Sequence, residues 1–193
     1  MNIAIIGTGI IGKKRASSLD ESDCLSIVCD IDKKSAKKMA NEFSANYTDN
    51  INDIINNKNI DAVIVSVVNK YAKDIAVAML KAGKNILCEK PLGRNVEESW
   101  AILSAAEKSG KLIKTGFNHR FHPAILKAKS LLENKEIGKI INIRARYGHG
   151  GRPGMEKEWR CSKDLSGGGE LLDQGVHIID LCRWFTSMEV AQV

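Results

Sequence analysis

The sequence of 193 residues contains no long uninterrupted apolar run. A helix that crosses a bilayer needs about 20 consecutive, mainly apolar residues, so no transmembrane span is predicted. The first residues pass directly into a strand-like pattern, which leaves no space for a signal peptide ahead of it. We therefore expect a cytoplasmic protein without membrane partners.

Paired cysteines with metal-ligand spacing are also missing, although the chain has five cysteines. No metal ion is therefore predicted. Cys24, Cys29 and Cys88 lie in apolar, strand-like runs, where a buried free thiol is the usual state. Unpaired thiols in an odd number fit the reducing environment of the cytoplasm.

A basic patch interleaved with aromatic residues is absent, despite a net charge of +6. The basic residues are spread over positions typical of solvated helix faces, such as 13–15, 33–34 and 37–38. They could attract an anionic cofactor or substrate. Nucleic acid is not a predicted partner.

The opening stretch carries the strongest signal. Residues 3–7 are apolar or small without polar alternation, which predicts a buried parallel strand. Gly7, Gly9 and Gly12 follow in the spacing G-x-G-x-x-G. These glycines allow a tight turn, backbone approach to a pyrophosphate and close packing of helix on strand. Ile10 and Ile11 open the next helix, whose free N–H groups would face the phosphates.

Asp30 ends the second apolar run, Cys24–Cys29. An acidic residue about 20 positions after the glycines binds the ribose hydroxyls of NAD and repels the 2′-phosphate of NADP. NAD is therefore the predicted cofactor. Lys33 and Lys34 lie nearby and could weaken that repulsion, so NADP stays open. A glycine-rich turn without any ligand is the alternative interpretation.

Strand and helix patterns alternate up to about residue 120. Repeated β-α-β units predict a doubly wound parallel sheet of the Rossmann type over residues 1–120. Ligands of such sheets bind beyond the carboxyl ends of the strands, where Gly7, Asp30, Asn69, Glu89 and Asn118 fall. Asn69 is also predicted to cap the helix over residues 70–82. The strands are predicted at 3–7, 24–29, near 47, 61–68, 85–88 and 111–116, and the helices at 10–19, 33–43, 49–57, 70–82 and 95–109.

The pattern changes after residue 120. A helix is predicted over 122–133, a half-buried strand over 137–147, a loop over 148–168, a helix over 169–185 and another strand from 189. One such strand and helix cannot close a core. We expect residues 121–193 to be the incomplete start of an α+β domain and the chain to be a fragment. Completion of the sheet by a second copy is the alternative.

Four motifs together resemble the Gfo/Idh/MocA oxidoreductases. They are the glycine turn at 7–12, Glu89-Lys90-Pro91, Gly116-Phe-Asn-His-Arg-Phe121 and the stretch from Gly167 to Asp180. The resemblance covers the whole chain, in order. Members of this family are typically longer and finish with a large antiparallel sheet, through which many form oligomers.

The resemblance implies a pyridine-nucleotide dehydrogenase that acts on a sugar, polyol or nucleotide-sugar. It assigns Lys90 as catalytic lysine, Asp173 as substrate-orienting aspartate and His177 as catalytic histidine. Glu89 would lie near the nicotinamide. Asn118 and Arg120 match positions that flank the cofactor cleft. It also implies a homo-oligomer for the full-length protein.

One loop departs from the family pattern Thr-Pro-Asn-x-x-His. Here it reads Val67-Val-Asn-Lys-Tyr-Ala72, so the proline and histidine are missing and Asn69 remains. The cofactor contacts of this loop are therefore the least certain of the set.

The chemistry explains why these residue types occur together. A histidine titrates near neutral pH and can accept the hydroxyl proton of an alcohol. A lysine stabilises alkoxide character, and a carboxylate four residues from the histidine shares its helix face. Asp180 could also reach His177. His119, His122 and His149 have no comparable support.

Each of these residues also has an ordinary structural interpretation. His177 could be a surface histidine, Asp173 a first-turn acid and Lys90 a solvated lysine. A nucleotide-binding module without catalysis, or an inactive fragment of such an enzyme, is the rival function. A different reaction within the family, such as imine reduction, is another.

Overall fold

The computed structural model describes residues 1–148 and 151–193, so His149 lies outside the described residues. Six parallel strands form one sheet in the order β3-β2-β1-β4-β5-β6. This is the predicted doubly wound arrangement, in which the strand order reverses between β1 and β4. The strands are β1 Asn2–Ile6, β2 Cys24–Cys29, β3 Asn46–Thr48, β4 Ala62–Val65, β5 Asn85–Cys88 and β6 Ile113–Thr115.

Helices connect the strands and cover both faces of the sheet. Within residues 1–133 they are α1 Ile10–Ala16, α2 Lys33–Phe43, α3 Asn52–Ile55, α4 Asn69–Lys81, α5 Val96–Ser109 and α6 Pro123–Glu133. Within the predicted loop over 148–168 the structure forms two 3₁₀ turns, Met155–Lys157 and Trp159–Cys161, and the short helix α7 Lys163–Ser166. Helix α8 Val176–Thr186 follows and is preceded by a π-helical turn, Leu171–Gly175. No helix of the described residues is long and apolar enough to cross a bilayer.

The core has two halves because the sheet is buried on both sides. Along β1, Ala4 and Ile6 face one apolar cluster, whereas Ile3 and Ile5 face the other. All four side chains are at most 5% exposed. This two-sided burial explains why the strand shows no polar alternation in the sequence.

Asparagine side chains play different parts at two helix starts. Asn95 caps α5, since its side-chain oxygen accepts the N–H of Glu98 at 2.8 Å. The prediction that Asn69 caps α4 is wrong. The helix begins one residue earlier than predicted, so Asn69 lies inside its first turn. Its side chain instead donates to the carbonyl of Ser166 at 2.9 Å, which ties α7 to the sheet domain.

Asn95→Ala is expected to lower the free energy of unfolding by about 1 kcal/mol, because it leaves the first-turn N–H of α5 without its acceptor. Asn95→Ser retains an acceptor and should cost much less. Urea denaturation of both variants measures the difference. Equal losses in the two variants would contradict a capping role.

Two predicted strands are not formed. Residues 137–147 and 189–193 have no strand structure, because no other described segment pairs with them and a strand needs a partner for its backbone hydrogen bonds. Ile141 is accordingly 98% exposed. The predicted helix over 169–185 is formed, since residues 170–186 are helical without a break and include a π turn at Leu171–Gly175.

The cysteines are free thiols in different environments. Cys29 and Cys88 are buried in the sheet, as predicted, and burial raises their pKa to about 11 and about 12. Both are therefore protonated and unreactive at neutral pH. Cys24 is exposed, contrary to prediction, because it stands at the first position of β2.

Candidate active site

The glycine turn follows β1 and packs against Ser66, the residue directly after β4. Gly7 has a φ of +98°, and a Cβ there would lie 2.3 Å from the carbonyl oxygen of Ser66. A Cβ on Gly12 would lie 2.0 Å from the carbonyl oxygen of Gly7. Gly9 differs, since a Cβ there would meet no described atom within 4 Å. Packing therefore requires Gly7 and Gly12, whereas Gly9 keeps an open approach to the backbone.

The start of α1 lies beside this opening. Gly9 is the N-cap residue and offers no side chain to the first-turn N–H groups. Ile10 is exposed and Ile11 is half-buried at the same end. An uncapped helix start over an open glycine fits a pyrophosphate, which accepts hydrogen bonds from such N–H groups.

Asp30 stands directly after β2 and is bonded to the glycine turn. Its Oδ2 accepts both the backbone N–H and the hydroxyl of Thr8 at 2.8 Å. Its Oδ1 accepts the N–H of Asp32 at 2.9 Å. Because a carboxylate oxygen accepts two hydrogen bonds, Oδ1 retains capacity for a ribose hydroxyl.

Glu89 follows β5 and is held by α1. Arg15 Nε donates to Glu89 Oε1 at 2.5 Å. A Cβ on Gly116 would lie 2.6 Å from Glu89 Oε2, so the absence of a side chain at Gly116 makes room for this carboxylate. The sequence does not single out Arg15, because only the fold brings the last turn of α1 next to Glu89.

Lys90 contacts Asp173 across 83 residues of sequence. Its Nζ donates to Asp173 Oδ1 at 2.7 Å and to the backbone oxygen of the same residue at 2.5 Å. The two side chains are only 18% and 20% exposed. Arg160 Nε lies 3.8 Å from the other carboxylate oxygen, Oδ2. The structure thus joins two of the three residues that the resemblance implicates in catalysis.

His177, the third of those residues, is buried near the start of α8 with 4% exposure. Its ring stacks on that of His119, with centroids 3.8 Å apart and planes 18° apart, and meets the ring of Phe117 edge-on. Its Nδ1 has no hydrogen-bond partner among the described residues. Burial, followed by the neighbouring His119 and Lys90, lowers its pKa to about 4. The imidazole is therefore neutral at pH 7.

Acidification should destabilise the fold through His177. The folded chain binds this proton less readily than the unfolded chain, so the free energy of unfolding falls as the pH drops from 6.5 towards 4. The loss attributable to this group is about 3 kcal/mol at most. Urea denaturation across this range should show a shallower pH dependence in His177→Gln, which lacks the titrating group. The same slope in both proteins would contradict the assignment.

Asp180 pairs with Arg120 and not with His177. Arg120 donates from Nε to Oδ2 at 2.7 Å and from Nη2 to Oδ1 at 2.5 Å, a bidentate pair that buries the carboxylate to 5% exposure. The same guanidinium lies 5.7 Å from the ring centre of Trp184. Arg120 therefore joins the end of the sheet to α8, while Asn118 beside it is exposed.

Two family descriptions match this chain. One, an oxidoreductase family with an NAD-binding Rossmann fold, matches residues 1–117, and the other, the GFO/IDH/MocA C-terminal domain, matches residues 125–193. The chain belongs to the Gfo/Idh/MocA oxidoreductase family. Its first 117 residues are the NAD-binding Rossmann domain of that family.

Curated relatives of the Gfo/Idh/MocA family resemble the chain along nearly all of its length. Levoglucosan dehydrogenase of Pseudarthrobacter phenanthrenivorans is 30% identical and aligns with 95% of this chain and 50% of its own length. Inositol 2-dehydrogenase 2 of Saccharopolyspora erythraea is 28% identical and aligns with 98% of this chain and 55% of its own length. The chain thus spans about half the length of these relatives.

Solved structures show the same fold. GenD2 from gentamicin A biosynthesis, in complex with NAD, superposes with a TM-score of 0.83 at 26% identity, covering 96% of this chain and 53% of its own. Levoglucosan dehydrogenase in complex with NADH and levoglucosan gives a TM-score of 0.83 at 28% identity, with 96% and 54% coverage.

Proposed function

We propose that this protein is an NAD-dependent dehydrogenase that oxidises a hydroxyl-bearing carbon of a sugar, polyol or nucleotide-sugar. Residues 1–120 would bind the cofactor, and residues 121–193 would begin the domain that binds substrate. Relatives named for levoglucosan and inositol support this substrate class. Cytoplasmic location and homo-oligomeric assembly are retained as predictions.

The observation that carries the proposal is the contact between Lys90 and Asp173 beside the buried, neutral His177. Lys90 lies just beyond the carboxyl end of β5, and the other two lie on the helical segment Leu171–Thr186, which Lys90 contacts through Asp173. Ligands of doubly wound sheets bind at this edge. A cation, a carboxylate and a proton acceptor therefore meet where a substrate would reach a bound nicotinamide.

Each of the three residues has a distinct task in alcohol oxidation. His177, being neutral at pH 7, accepts the hydroxyl proton. The ammonium of Lys90 stabilises the negative charge that develops on the substrate oxygen. The carboxylate of Asp173 accepts a hydrogen bond from a substrate hydroxyl and positions it. When bound, NAD supplies the hydride acceptor.

The cofactor residues line the same edge of the sheet. The turn and the start of α1 would hold the pyrophosphate, and Asp30 would hold the ribose next to the adenine. The remaining residues would border the nicotinamide half. The proposed set is Gly7, Gly9, Ile10, Ile11, Gly12, Asp30, Asn69, Glu89, Lys90, Asn118 and Arg120.

The test is reduction of NAD by the intact protein in the presence of a panel of sugars and polyols. Growth of the absorbance of reduced cofactor with one class of polyhydroxylated substrate is the expected result, and His177→Gln should abolish it. Tight NAD binding with no turnover on any alcohol or amine would instead favour a nucleotide-binding module without catalysis. Turnover on amines alone would favour imine chemistry.

A further inference from the structure

His119 carries no role in the family resemblance, yet it makes the closest ring contact of His177. The two imidazoles are nearly parallel with centroids 3.8 Å apart. His119 lies in a 3₁₀ turn, Asn118–Phe121, that is separated from β6 by two residues, whereas His177 lies on α8. The contact therefore links the sheet to the helix that bears the proposed base.

Tyr147 contacts His119 at the edge of the stacked pair. Its hydroxyl lies 3.3 Å from His119 Nε2, and the two rings meet edge-on with centroids 5.1 Å apart. The same tyrosine ring approaches His177 at 6.3 Å, again edge-on. Three aromatic rings, those of Phe117, His119 and Tyr147, thus surround the buried imidazole.

We propose that His119 is a positioning residue for His177. Its ring, held by Tyr147, fixes the buried imidazole by stacking, and a proton on His119 disfavours a positive charge on His177. The catalytic role of His119 rests on the proposed function, because it requires His177 to be the base. Two protonated imidazoles at this separation repel strongly, because the low exposure of His177 limits screening by water.

The charged groups around the two stacked rings also affect whether His177 can carry a positive charge. Burial is the largest cause that lowers the pKa of either histidine; Lys90 lowers both further, and His122 adds to the effect on His119. Asp180 and Asp173 act on His177 in the opposite direction, but their carboxylates are already paired with Arg120 and Lys90. The groups that face the stack are Lys90, Asp173, Asp180, His122 and Tyr147, and Arg120 and Arg160 pair with the two carboxylates.

The test is an NMR titration of the chain with ring-labelled histidine, which needs neither NAD nor turnover. The four histidines are assigned by single substitution to Gln. His119→Phe keeps a ring against His177 but removes the charge, so the titration midpoint of His177 should rise by about one pH unit. His119→Ala also removes the stacking ring and should raise the midpoint further, as water reaches the imidazole. His122→Gln is the matched control and should leave the midpoint in place.

Nuclear Overhauser contacts between the two rings in the unsubstituted chain supply a second readout that does not depend on any variant folding. Observed contacts together with the raised midpoint support the proposal. An unchanged His177 midpoint in His119→Phe, or the absence of contacts between the rings, overturns it. If the NMR results are as expected but the unsubstituted, full-length protein oxidises none of the sugars and polyols, only the proposed function is contradicted.

Discussion

Lys90→Met is expected to lower kcat by about 10²–10⁴-fold, because the substrate oxygen loses its only adjacent ammonium among the described residues of the site. NAD affinity should stay within a small factor of the original value, since we propose that the pyrophosphate and ribose are held by the glycine turn and Asp30. Steady-state kinetics and calorimetric titration with NAD measure the two effects separately. A fall in kcat with unchanged NAD affinity identifies an interaction that matters in the transition state.

Lys114→Met is the matched control for this experiment. Lys114 lies on β6 and is exposed, so the same change there should alter neither turnover nor NAD affinity. Removal of Lys90 also takes the ammonium donor from Asp173 Oδ1 and leaves Asp173 with Arg160 alone, so Lys90→Arg is informative as a charge-preserving variant. Turnover in Lys90→Met equal to that of the control would remove Lys90 from the mechanism.

Gly12→Ala is expected to destabilise the fold by about 3 kcal/mol, because the new Cβ would lie 2.0 Å from the backbone oxygen of Gly7. A backbone oxygen at the crossing of β1 and α1 cannot move aside as a flexible side chain would. Urea denaturation measures the loss. NAD binding should fall with it, since the whole turn must shift.

Gly9→Ala separates binding from stability in the same turn. Its Cβ enters open space, so the free energy of unfolding should change little, while the methyl group obstructs the approach of a pyrophosphate. NAD affinity should fall by about tenfold or more, a loss of some 1.4 kcal/mol. Unchanged affinity in Gly9→Ala would show that the cofactor does not lie over this turn.

The sheet domain was predictable because its signals are local. Unbroken apolar strands, glycine spacing and helical stripes each depend on burial along one segment, and the structure confirms all six strands up to residue 116. The second half was harder to predict. The alternation over residues 137–147 indicates a strand, but a strand forms only where a partner is present, and no described segment provides one.

The missed contacts depend on pairs that are distant in sequence. Arg15 reaches Glu89 across 74 residues, and Arg120 reaches Asp180 across 60. From the sequence, Asp180 could reach His177, because helical spacing considers only neighbours on the same helix. His119 was set aside because nothing in its own segment indicates a ring stacked on it from α8.

One nicotinamide, held over the glycine turn, should meet Lys90, Asp173 and His177, and a crystal structure of the intact protein with NAD and a bound polyol would show whether it does. We expect a carbinol carbon about 3–3.5 Å from the nicotinamide ring, with its oxygen in hydrogen-bonding reach of Lys90 Nζ and the His177 imidazole. A nicotinamide bound away from these side chains, or a polyol that contacts none of them, would rule this arrangement out.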